Sequence, residues 1–245
     1  MIRRLVLLLL WSVAAAAAET AHPERLRDVD RASLGYTYGA GGFAAAYDPP
    51  PPGSYTLPVV RRVGDHPLLR PDGGGTTLGR TKGRRLAVVS FVYATCVDVA
   101  GCPLANAVLR RVDRALAADP ALARDVRLVT ISFDPERDTP ARMAALRRLY
   151  RPRTRWRFLT TSDAATLVPL LADFDQPVAK LRFADGEWSG LFRHVLKVFL
   201  VDRKNGVRNV YSAGFLDPQL VVNDLRTLAA ERPATARVAD ASAFR

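Results

Sequence analysis

Cys96 and Cys102 are the only two cysteines in the chain, and five residues separate them. A thiol pair at this spacing admits three chemistries. The sulfurs could close a structural disulfide, the simplest use of two cysteines in an exported chain. They could form a redox couple, one sulfur attacking a disulfide and the other resolving the mixed intermediate. They could also serve as two thiolate ligands of a soft metal ion. Pro103 follows Cys102 and suits the first turn of a helix. Unpaired N–H groups and the helix dipole favour negative charge there, so the Cys102 thiol is expected to ionise below the usual value of about 8.5. His194 is the third candidate, and as a ligand it would complete a Cys–Cys–His set. Two thiolates and an imidazole suit copper, Cu(I) in particular, better than a hard cation, whereas zinc usually takes a fourth ligand. A histidine opening an apolar strand is also an ordinary half-exposed surface residue. The other two histidines are His22, in a segment without periodicity, and His66, just after a turn.

The elements that must position these groups are readable from periodicity. LAVVSFVY, from Leu86, is a continuous apolar run of the kind found in strands buried on both faces. The cysteine loop follows it. A helical stripe comes next, with Leu104, Val108, Leu109, Val112 and Leu116 on one face. VRLVTISFD reads as a second buried strand. DTPARMAALRRLY reads as a helix capped by Asp138 or Thr139, with Pro140 in its first turn. RWRFLT is a short strand, and SDAATLVPLLADF a helix that starts near Ser162 or Asp163 and that Pro169 could break. VAKLRFADGEW suggests a strand and a turn. HVLKVFLVDRKNGVRNVYSAG reads as a hairpin turning on Asn205 and Gly206, its first strand opened by His194. DPQLVVNDLRTLAAER closes the domain as a helix. Upstream, YTLPVVRRVG reads as a short strand and RPDGGGTTLGRTKGRR as turn chemistry. Strands alternating with helices predict an α/β fold with a central mixed sheet flanked by helices. The cysteines lie where a buried strand passes into a helix, the end of such sheets where ligands bind.

The 245-residue chain carries a formal net charge of +12, and its basic residues are nearly all arginine. They are scattered, with no dense basic run interleaved with aromatics, so no nucleic-acid partner is expected. The charge is compatible with association with an anionic membrane surface or with an acidic partner. At the start, Arg3 and Arg4 precede an apolar core at 5–13 and an A-x-A pattern ending at Ala18, the parts of a secretory signal peptide. A periplasmic protein is expected, with this segment either cleaved or retained as an inner-membrane anchor. Expected organisation is a signal peptide at 1–18, a flexible Pro/Gly-rich segment at 19–54, one domain at 55–232 and a flexible tail at 233–245.

Four segments, in order, resemble the SCO/SenC family of copper-binding, thioredoxin-fold proteins of cytochrome c oxidase assembly. They are VVSFVYATCVDVAGCPLANAVL, then VTISFDPERDTPARM with its D-P-x-x-D-T-P signature, then HVLKVFLVD, then the closing hairpin and helix. The resemblance covers about residues 55–231. It implies a thioredoxin-like fold and one copper ion held by Cys96, Cys102 and His194, with Asp98 as a modulator rather than a ligand. It also implies delivery of copper, or of reducing equivalents, to the copper-site subunit of cytochrome c oxidase or to another copper protein. One feature departs from the family's C-x-x-x-C-P motif: the loop here is two residues longer, with the insertion around 99–101. A second function remains open on the same residues, a thiol–disulfide oxidoreductase or thiol peroxidase using Cys96 and Cys102 as its redox pair.

Overall fold

The computed structural model describes residues 37–39, 42–44, 47–96 and 101–231. The expected signal peptide, most of the expected flexible N-terminal segment, Asp98 and the expected tail at 233–245 lie outside the described residues. In chain order the elements are β1 (Thr37–Gly39), β2 (Gly42–Ala44), β3 (Arg61–Arg62), β4 (Pro67–Leu69), β5 (Gly75–Thr77), α1 (Leu78–Lys82), β6 (Leu86–Val92), α2 (Cys102–Ala117), α3 (Pro120–Asp125) and β7 (Val126–Ser132). There follow α4 (Pro140–Tyr150), β8 (Trp156–Leu159), α5 (Ala164–Phe174), β9 (Val178–Arg182), β10 (Trp188–His194), β11 (Lys197–Val201), β12 (Gly206–Ser212) and α6 (Pro218–Ala230).

The centre is a six-stranded sheet in the order β3-β12-β11-β6-β7-β8. β6, β7 and β8 run parallel, β11 pairs antiparallel with both β6 and β12, and β12 pairs antiparallel with β3. The continuous apolar runs explain why these strands lie in the middle. Every residue of β6 and β7 is buried, and alternate side chains enter opposite cores. Leu86, Val88, Leu128, Val198 and Leu200 pack under α2 and α6, whereas Ala87, Val89, Phe91, Phe199 and Val201 pack under α1 and α5. Each such Val, Leu or Phe contributes about 1.5–3 kcal/mol by leaving water. Helices on both faces of a mixed sheet, with a closing hairpin and helix, make this a thioredoxin-like fold.

Local chemistry sets the helix starts. Thr139, Asp163 and Asp217 are the N-caps of α4, α5 and α6, each side chain accepting a backbone N–H three residues on. Pro169 does not break α5. It stands on the exposed face, and Leu167, Leu170 and Phe174 anchor the other face in the core. Asn205 adopts the left-handed φ of +63° that the β11–β12 turn requires.

Four expectations are corrected. The strand expected around residue 60 shrinks to Arg61–Arg62, because Pro58 has no N–H to give to a ladder. The glycine-rich turn closes a small hairpin, β4–β5, which runs directly into α1. An unexpected short helix, α3, begins at Pro120 behind the cap Asp119. His194 does not open β11: it ends β10, a strand paired antiparallel with β9 in a separate hairpin.

The proline segment before the domain runs along α6. Asn223 donates to the Pro50 carbonyl at 2.8 Å, and the Gly53 N–H reaches Thr227 at 2.9 Å. Asp224, buried in α6, accepts from Tyr55, from Asn209 at 2.7 Å and from Tyr211 at 2.6 Å. This one carboxylate joins the strap, the sheet and the helix.

Candidate metal centre

β6 ends at Val92, and the chain turns at once: the Cys96 N–H donates to the Tyr93 carbonyl at 3.2 Å. Cys96 is half-buried. After residues 97–100 the chain enters α2 at Cys102, its first residue, which is buried. Gly101 is the N-cap of α2 and offers no capping side chain. His194 arrives from the end of the β9–β10 hairpin. The two sulfurs and one imidazole nitrogen all lie within 4.8 Å of one another. With metal–sulfur bonds of about 2.3 Å, two ligands of one ion stand at most about 4.6 Å apart. The trio therefore closes on a single ion with a shift of a few tenths of an ångström. The two-residue enlargement of the loop does not separate the sulfurs.

The Cys102 thiol is held well above its ordinary range, contrary to the expectation from the helix start. The main cause is the hydrogen bond with the Cys96 sulfur, which the protonated Cys102 thiol donates and would lose on ionising; burial comes next, and repulsion between the two sulfurs adds a smaller part. The N–H groups of Tyr93 and of Cys102 itself pull the other way and are outweighed. In the metal-free protein Cys102 keeps its proton, and no S–S bond joins the pair.

An aromatic wall closes the site from the sheet side. The His194 ring packs on Phe133 with centroids 4.9 Å apart and edge-on to Tyr93 at 6.0 Å. Phe192 lies 5.1 Å from Tyr93 and 5.3 Å from Phe133. The Tyr93 hydroxyl is hydrogen-bonded to the Cys96 sulfur, and its pKa is pushed up to about 12, first by burial and then by that sulfur. The sequence reading missed Tyr93. Its only local mark was a phenol three residues before a cysteine, at the end of a buried strand.

The D-P-x-x-D-T-P segment does more than cap α4. Asp138 is buried, and its Oδ2 accepts from the Ser132 hydroxyl at 2.6 Å and from the Ala94 N–H at 2.9 Å. That second bond fixes the backbone two residues before Cys96. Burial raises the Asp138 carboxyl, while these two donors draw it down. Asp134, also buried, pairs with Arg137 at 2.5 Å. Arg137 in turn donates to the Gly190 carbonyl at 3.0 Å and stacks over Trp188 at 4.0 Å. Glu136 pairs with Lys180 at 2.8 Å. One turn thus grips the cysteine loop on one side and the histidine hairpin on the other. Gln176 adds a further tie, donating to the Val195 carbonyl just past His194 at 2.9 Å.

Comparisons with known proteins point to one family. The sequence model of the SCO1/SenC family matches residues 60–230. No match was found among curated protein sequences. Among solved structures, Bradyrhizobium japonicum ScoI with copper bound is similar at 26% identity and a TM-score of 0.56, covering 68% of this chain and 99% of that one. Yeast Sco1 with copper bound shares the fold at 17% identity and a TM-score of 0.60, covering 73% and 94%. BsSco, described as a member of the Sco family of cytochrome c oxidase assembly proteins with a disulfide switch, shares it at 20% identity and a TM-score of 0.57, covering 73% and 99%. With a family match over most of its length and a Cys–Cys–His trio at the end of a thioredoxin-like sheet, this chain belongs to the SCO1/SenC family.

Proposed function

We propose that this protein is an exported, periplasmic copper-binding protein that holds one copper ion as cargo on Cys96, Cys102 and His194. It passes that ion, or the reducing equivalents of its thiols, to the copper site of cytochrome c oxidase during assembly. The observation that carries this reading is the convergence of two sulfurs and one imidazole within 4.8 Å, on three separate pieces of chain. Soft sulfur ligands with one imidazole favour copper over hard cations, and a three-ligand set leaves a position at which an acceptor's ligand can enter. The copper-bound ScoI of B. japonicum supports the choice of metal. Residues 55–232 would be the working domain, exported by the leader at 1–18. Copper needs both sulfurs as thiolates, so loading releases the Cys102 proton, and a Cys96–Cys102 disulfide excludes the metal. Anaerobic titration of the reduced protein with Cu(I) tests the reading. It predicts one ion per chain, lost on substitution of either cysteine.

A second reading draws on the unequal burial of the two sulfurs. Half-buried Cys96 can be reached by a partner, whereas buried Cys102 stands behind it. As a thiol–disulfide oxidoreductase, Cys96 would attack a partner disulfide and form a mixed disulfide. Cys102 would then attack the Cys96 sulfur, closing the Cys96–Cys102 bond and releasing the partner as two thiols, with two electrons passed to it. Copper-free turnover that survives His194→Ala would favour this reading over copper delivery.

A further inference from the structure

The opposite end of the sheet carries a feature that metal binding leaves unused. The metal ligands lie beyond the last residues of β6, at the carboxyl ends of the parallel strands. Seven residues of strand separate them from the amino ends, a distance of about 20 Å at the usual strand rise. There the end of α2, the short α3 and the residues leading into β8 surround a depression of about 470 Å³. Arg85, Arg124, Arg127, Arg153 and Arg155 line it. Among the described residues, none of these five arginines is in an ion pair with a carboxylate. The nearby acids are engaged elsewhere. Asp125 pairs with Arg203, and Asp119 reaches Arg226 at 3.5 Å. Asp113 accepts the N–H groups of Arg153 and Thr154 at 2.7 and 2.9 Å, together with the Thr154 hydroxyl.

Arg127 is the centre of the group. It is 3% exposed and is the second residue of β7. Its Nη1 donates to the Val126 carbonyl at 2.7 Å and the Arg124 carbonyl at 3.5 Å. The rest of its guanidinium has no hydrogen bond to the described residues. The Arg124 carbonyl also takes Arg85 Nε at 2.9 Å, so two guanidinium groups are held in place by one backbone oxygen. Burial, and then the positive charges of Arg85, Arg155 and Arg157, bring the Arg127 guanidinium down to about 10. Like charges gathered round one hollow oppose folding unless an anion enters from outside. Guanidinium forks match the oxygens of phosphate, which they bind in paired hydrogen bonds. Leu116 and Ala123 give the hollow an apolar wall beside these donors, suited to the organic part of a phosphate ester.

We propose that this depression binds a phosphate-type anion, either the phosphodiester headgroup of an anionic lipid or a free phosphate. A protein docked there on a lipid surface would present its metal end away from that surface.

Calorimetric titration of the full chain at 0.15 M NaCl tests this with two soluble probes. One is inorganic pyrophosphate; the other is glycerophosphoglycerol, the headgroup of phosphatidylglycerol without its acyl chains. Binding of either probe is expected to weaken at least tenfold in Arg153→Ser/Arg155→Ser, two exposed positions. It is expected to change less than twofold in Arg147→Ser/Arg148→Ser, which removes the same charge from the exposed face of α4. Binding of glycerophosphoglycerol assigns the site to a lipid headgroup, and binding of pyrophosphate alone assigns it to a free phosphate. The proposal is overturned if neither probe binds, or if the two double variants lose binding equally.

Discussion

The carboxylate of Asp138 accepts the backbone N–H of Ala94 at 2.9 Å. This bond joins the turn before α4 to the turn that presents Cys96, across 44 residues of sequence. Asp138→Ala leaves the Ala94 N–H and the Ser132 hydroxyl without their acceptor. Denaturant unfolding should show a loss of about 1–3 kcal/mol for the unsatisfied buried donors. Copper affinity, measured by competition with a chelator, should fall about 10- to 100-fold, the usual cost of losing an outer support of a metal ligand.

Tyr93→Phe separates the ring from its hydroxyl. The packing against Phe133, Phe192 and His194 stays, whereas the hydrogen bond to the Cys96 sulfur goes. Stability should change by about 1 kcal/mol or less. One copper ion should still bind, but the sulfur-to-copper charge-transfer absorption of the Cu(II) form should shift, because that sulfur has lost a donor. An unchanged spectrum would remove Tyr93 from the site.

The two thiols should react unequally. Cys102 is 1% exposed and its thiol is raised by the neighbouring sulfur and by burial. Limiting iodoacetamide at pH 7.5 on the reduced, metal-free protein should therefore alkylate Cys96 first. Peptide mass mapping of the singly modified protein checks this, and a first adduct on Cys102 would contradict the burial order.

A pH test concerns the clamp between His66 and Asp173, 2.7 Å apart. The His66 hydrogen bond, then the Gly64 N–H, hold the Asp173 carboxyl below its ordinary range. A carboxyl depressed in the folded state adds stability above its unfolded pKa and loses it as pH falls through the depressed folded value. Asp173 is partly exposed, so Asp173→Asn should cost at most about 1 kcal/mol near neutrality. Melting curves of the two proteins should converge only as pH falls through the depressed folded value, below the ordinary aspartate pKa of about 3.9, where the native carboxyl is also protonated.

Much of this was legible in the sequence, and the rest was hidden for physical reasons. β6, β7 and β11 announced themselves as mainly apolar runs, although β7 carries Arg127, Thr130 and Ser132, because both of their faces are covered. Asp119-Pro120 carried a helix-start signal, but α3 is too short to show an apolar stripe. His194 was assigned to the wrong strand because β10 is largely solvated, so no burial pattern separates it from the apolar run that follows. The ionisation of Cys102 was misjudged because the helix start is a local cue, whereas the opposing sulfur arrives through folding. The ties of Asp134 and Asp138 to the hairpin and the cysteine loop were likewise invisible, since only folding brings their partners near.

The anaerobic Cu(I) titration, run on the wild type and on Cys96→Ser, Cys102→Ser and His194→Ala, tests the central claim most directly. The account predicts one ion per wild-type chain, no stoichiometric binding in either cysteine variant, and weakened binding in His194→Ala. Full-affinity binding that survives loss of either sulfur, or a reduced wild type that takes up no copper, would contradict it.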